Sequence, residues 1–69
     1  MNPGDNVFLI IRKGYTEKYY PVQIKSFSES RKTYIVILPN KKEKRGVAER
    51  NLSLTNHRGE KNKGRTNAN

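Results

Sequence analysis

From Tyr20 to Ser28 the chain reads YPVQIKSFS, with the apolar Val22 and Ile24 spaced by Gln23 and Lys25. Successive side chains leave a β-strand on opposite sides, so this two-residue alternation suits an extended segment with one buried face. A helix would need apolar residues every three or four positions, and no window of the chain sustains that period. The expected fold is all-β.

Other segments carry the same signal. Pro3-Gly4-Asp5 is turn chemistry, and the residues after it, Asn6 to Arg12, read as a first strand with Val7, Leu9 and Ile11 on one face. A loop over Lys13–Lys18 separates it from a second strand over about Tyr20–Ser28. The polar Ser28–Lys32 reads as a hairpin connection to a third strand, Thr33–Leu38, in which Tyr34, Val36 and Leu38 alternate with Ile35 and Ile37. Pro39 ends it, because proline has no amide for a ladder. Lys41–Arg45 then forms a basic turn, and a fourth strand is expected near Gly46–Glu49 with Val47 buried. Residues 50–54 complete the core through Leu52, with Leu54 as a further candidate, as a helical turn or an edge strand.

The chain has 69 residues and no cysteine. One small domain fits that length, and a domain of this size buries only about 60% of the surface its unfolded chain exposes. Neither a disulfide framework nor a thiolate zinc site can be built, and the single histidine, His57, cannot form a metal cluster alone. No metal and no cofactor are expected. The longest apolar run, Val7–Ile11, is far short of the roughly 20 residues that span a bilayer. The expected setting is therefore cytoplasmic, or associated with a nucleoid or nucleus, with no membrane partner.

From Asn56 onward no large apolar side chain remains. Such a segment buries too little apolar area to offset the entropy of ordering it. The domain is thus expected at residues 1–55, with a flexible basic tail over 56–69.

Fifteen Lys and Arg against six Asp and Glu give a net charge of +9. A field of that sign attracts phosphate polyanions or acidic proteins. Four cations, Lys41, Lys42, Lys44 and Arg45, crowd one turn. Arg12, Lys13 and Lys18 surround the loop containing Tyr15, with Tyr19 beside them. Rings that stack on bases next to cations that hold phosphates make a nucleic-acid platform. These nine residues are the expected contacts to DNA or RNA. Strand parity sends Tyr20 inward with Val22 and Ile24 and turns Tyr19 outward.

Phe8, Ile10, Ile35 and Ile37 fall on the faces opposite the assigned core. They either close a second small core or mark a surface for an acidic protein, a larger complex or a second copy; the partner surface is the expectation. Catalysis is not expected, because the acids are isolated and no nucleophile can be given an oriented base. Neither GxGxxG nor GxxxxGK[ST] occurs.

The succession GDNV, YYPVQI, YIVIL, and Val47 followed five residues later by Leu52 resembles the Tudor-type SH3-like barrels. KOW modules and the C-terminal domains of retroviral integrases share parts of this pattern, which covers Pro3 to about Ser53. The resemblance implies a small five-stranded barrel. It further implies an aromatic cage for methylated lysine or arginine, with Tyr20 and Tyr34 as its members and Tyr19, Tyr15 or Phe27 as further candidates. Lysines stand after the third strand where such cages commonly place an acid, and a +9 chain repels a basic peptide. Phosphate binding therefore leads, an adaptor for an acidic protein comes second, and a cage reader third.

Overall fold

The computed structural model describes residues 1–63. Five strands are present: β1 (Asn6–Lys13), β2 (Thr16–Ser28), β3 (Thr33–Ile37), β4 (Glu43–Ala48) and β5 (Leu52–Ser53), with one 3₁₀ turn, Glu49–Asn51, before β5. They form a single antiparallel sheet in the order β4-β3-β2-β1-β5. The all-β expectation holds. Each of the first four strands pairs with the next, and β5 returns to the free side of β1, placing Leu52 opposite Leu9 and Ser53 opposite Phe8.

The loop expected over Lys13–Lys18 is much tighter. Lys13 pairs with Thr16, so only Gly14 and Tyr15 connect β1 to β2. Gly14 has φ +60, and glycine at the first central position lets a two-residue turn match the twist of its strands. Both strands therefore run on to the hairpin tip, and β2 reaches 13 residues. At the other end, Asn2–Asp5 makes a turn closed by the Asp5 amide on the Asn2 carbonyl at 3.0 Å. The Gly4 amide donates to the Ile24 carbonyl at 2.7 Å, and the Ile24 amide to the Asp5 carbonyl at 2.8 Å, extending this pairing beyond Asn6.

Two irregularities bend the sheet. On β2 the register shifts between Ile24 and Ser26. On β4 one extra residue falls between Lys44 and Val47, where Gly46 has φ +69. Bulges of this kind sharpen twist and let strands curl around a core. That core comprises Val7, Leu9, Val22, Ile24, Tyr34, Val36, Val47 and Leu52, drawn from all five strands, with Ile11 and Leu38 packed at its margin. All were expected inward; Leu54, the further candidate beside Leu52, is instead 59% exposed, because β5 ends at Ser53. No ladder joins β4 to β5, so the sheet is curled and open.

The expected partner surface is not exposed. Phe8 and Ile10 are only 8% and 9% accessible. They share the outer face of the sheet with their register partners Pro21, Ser53 and Tyr19, and the chain after β5 returns over this face. The Asn62 side-chain amide donates to the carbonyls of Val7 at 2.8 Å and Val22 at 3.2 Å. The His57 ring lies 5.8 Å from that of Tyr19. Ile35 and Ile37 are half-buried. Ile37 stands in register between Gln23 and Glu43, and the ion pair of Lys25 on β2 with Glu43 on β4 crosses β3 beside it.

The segment expected to be flexible over 56–69 divides. Residues 64–69 lie outside the described residues. Within 56–63, Thr55 bridges to Lys61 around a turn in which Asn56 Oδ1 accepts the amides of Arg58 at 2.8 Å and Glu60 at 3.0 Å. Order here comes from asparagine carboxamides satisfying backbone groups, a source of structure that a count of apolar residues misses. Removing residues 55–69 should uncover Phe8 and Ile10, giving stronger ANS fluorescence and a lower Tm. Unchanged dye binding and melting would show that the outer face does not depend on this segment.

Candidate nucleic-acid interface

Toward the β1–β2 hairpin tip the core face runs out of cover. The hairpin reaches Lys13 and Thr16, whereas β3 has only five residues and ends at Ile37. Leu9 is buried, Ile11 is half-buried, and Tyr20, opposite Leu9 in the ladder, is 40% exposed. Across from them the chain turns at Leu38-Pro39-Asn40. A groove of about 450 Å³ results, lined by Leu9, Ile11, Tyr20, Leu38, Pro39, Asn40 and Lys44. Its walls are almost entirely apolar, and a single ammonium is among them.

Lys44 faces the groove because it pairs with the buried Val36. Lys18 pairs with Ile11, so it shares that same face of the hairpin, as does Lys13 by strand alternation. Lys41 and Lys42 continue from Asn40. In their turn the Lys41 amide donates to the Leu38 carbonyl at 2.8 Å, the Leu38 amide to the Lys42 carbonyl at 2.7 Å, and the Lys42 amide to Asn40 Oδ1 at 3.0 Å. Lys41 has φ +72, a left-handed conformation that costs a side-chain-bearing residue about 1–2 kcal/mol. Glycine would fit there at lower cost.

Among the described residues the ion pairs are Arg12–Glu17 and Lys25–Glu43. Lys13, Lys18, Lys41, Lys42 and Lys44 are in neither pair, and Arg45 acts on Glu43 by charge without a salt bridge. Glu43 is held below the ordinary carboxylate range, first by its hydrogen bond from Lys25.

The structure separates the expected contacts. Arg12 and Tyr19 lie on the outer face, away from the groove. Arg12 is engaged: its Nε donates to Glu17 at 3.1 Å and its Nη1 to Asn51 Oδ1 at 2.8 Å. Tyr19 donates to Glu17 Oε1 at 3.2 Å. Its phenol is pushed above the ordinary 10.0, first by desolvation and then by the Glu17 charge. Both tyrosines keep their expected faces, but Tyr19 is half-covered by the returning chain and Tyr20 is open at the groove instead of buried. Tyr15 stands fully exposed at the hairpin tip. Arg45 falls in the β4 bulge opposite Ile35.

The rings named for an aromatic cage are dispersed. Tyr34 is buried, its ring centroid 4.7 Å from that of the exposed Phe27, Tyr20 lines the groove, Tyr19 is on the outer face and Tyr15 is at the tip. Groove residues Tyr20, Leu38, Pro39 and Asn40 were not among the expected contacts. The signal for Tyr20 was Lys13-Gly14-Tyr15-Thr16: a Gly-X hairpin carries the ladder to the tip and brings Tyr20 near its uncovered end.

No candidate metal site formed by three or more His, Cys, Asp or Glu occurs among the described residues, and no helix there is long and apolar enough to cross a membrane. Compared with protein-family models, with curated proteins and with solved structures, the chain matches none.

Lys41→Gly should raise the free energy of unfolding by about 1 kcal/mol in urea denaturation, through relief of the left-handed strain. Glu17→Gln should bring the Tyr19 ionisation down toward the ordinary tyrosine value, because it removes a neighbouring negative charge that disfavours the phenolate. NMR titration of the tyrosine rings reads this directly, and a Tyr19 curve that does not move would exclude Glu17 as a cause.

Proposed function

We propose that this chain is a non-enzymatic SH3-like barrel of Tudor-type pattern that binds DNA or RNA largely independently of sequence, through phosphate contacts. The observation that carries the reading is the apolar groove beside lysines without ion pairs: Lys44 in its wall, Lys13 and Lys18 on the same face of the hairpin, and Lys41 and Lys42 in the adjoining turn. Unneutralised cations repel one another, and an incoming phosphate backbone relieves that repulsion while releasing its own counterions. The barrel assignment is supported by the strand order, in which β5 closes onto β1 after a 3₁₀ turn, and by one core fed from every strand.

Anisotropy of a labelled oligonucleotide across a salt series tests the reading. Log affinity should fall linearly with log salt, by about 0.9 per neutralised phosphate on duplex DNA. Changing Lys41, Lys42, Lys44 and Arg45 together to Ser should weaken binding uniformly across sequences and flatten the slope by about 1 for each phosphate no longer neutralised. If no oligonucleotide bound at low salt, the proposal would fail and an adaptor for an acidic protein would become the better reading of the same cations.

A further inference from the structure

We propose that the ligand of the groove is a single strand, with one unpaired base lying against the face of Tyr20 and flanking phosphates held by Lys13, Lys18 and Lys44. This rests on the nucleic-acid reading above and narrows it. Phosphate attraction alone needs only exposed cations, and those would be served equally well by a flat or convex surface. Here an apolar recess of about 450 Å³ lies beside them, within the roughly 300–1,000 Å³ of small-ligand clefts. Leu9, Ile11, Leu38 and Pro39 give it no hydrogen-bonding side chain, so what fills it must offer an apolar face.

Tyr20 is the aromatic member of this wall, and its ring contacts no other ring among the described residues. The residue is 40% exposed, so ring surface is available for stacking. A duplex keeps base faces stacked inside the helix and presents only edges in its grooves; a single strand can turn a base out onto an aromatic side chain. Asn40 adds a polar group at the groove wall. Its Oδ1 already accepts the Lys42 amide at 3.0 Å, which leaves Nδ2 to donate to a base carbonyl or ring nitrogen. The charge pattern matches as well: apolar surface for the base, with ammonium groups beside it for the backbone on either side.

The test uses the full chain and three labelled probes of equal length: oligothymidine, an abasic strand with the same phosphates, and a duplex. The wild type should bind oligothymidine more tightly than either of the others. Tyr20→Ala should lower oligothymidine affinity by about 5- to 150-fold, the range for removal of one base–aromatic stack, and leave abasic and duplex binding unchanged. Tyr20→Phe, which keeps the ring, should retain the wild-type preference. Equal wild-type affinity for oligothymidine and the abasic strand overturns the inference and leaves phosphate binding intact. So does a Tyr20→Ala loss shared equally by all three probes, which indicates a structural effect. Failure of the wild type to bind any probe at low salt removes the nucleic-acid reading itself.

Discussion

Three residues, Glu49–Asn51, have to carry the chain from one edge of the sheet to the other. β4 and β5 are the outermost strands of five, and in a flat sheet four spacings would separate them by about 19 Å. The four steps from Ala48 to Leu52 reach at most about 14 Å when extended, and less in a 3₁₀ turn that rises only about 2 Å per residue. The sheet must therefore curl. Curling brings side chains from all five strands onto one small interior, where Val7, Val36 and Ile24 are essentially inaccessible. The bulges at Lys25 and at Arg45-Gly46 supply the bend, and Gly46 takes the positive φ that the second one requires.

The same curl produces the groove. Strands of unequal length wrapped around a small core cannot all end at the same level, and the long β1–β2 hairpin overshoots the short β3. Its inner face continues past the point where another strand could cover it. Ile11 and Tyr20 are the residues left there, opposite the Leu38–Asn40 turn. On the outer face Arg12 and Lys25 are each held by a glutamate, while the lysines on the groove side have no such partner among the described residues. Five lysines without ion pairs, Lys13, Lys18, Lys41, Lys42 and Lys44, thus stand beside the open apolar surface.

Much of the fold was legible from single residues. Val22 and Ile24, separated by Gln23 and Lys25, identified a half-buried strand, and the expected inward residues Val7, Leu9, Tyr34, Val36, Val47 and Leu52 are the observed core. Strand parity also placed Phe8, Ile10, Ile35 and Ile37 on the outer face. It could not show what would cover them, since the cover comes from residues far away in the chain: Asn62 reaching Val7 and Val22, and Lys25 meeting Glu43 across β3. Parity assigns a side chain to a face without saying how far the opposing layer extends. Tyr20 was correctly assigned to the inner face, yet it lies beyond the buried part of it.

The amino-acid sequence by itself determined the strand character of the chain, the parity of its core and the excess of positive charge, because these depend on residues a few positions apart or on a simple sum. Only the tertiary structure decided which cations are neutralised, which tyrosine is open and where apolar surface remains uncovered. Those outcomes depend on strand lengths, register and the path of residues 54–62 over the outer face. All three are set by contacts between segments distant in sequence, which no local pattern records.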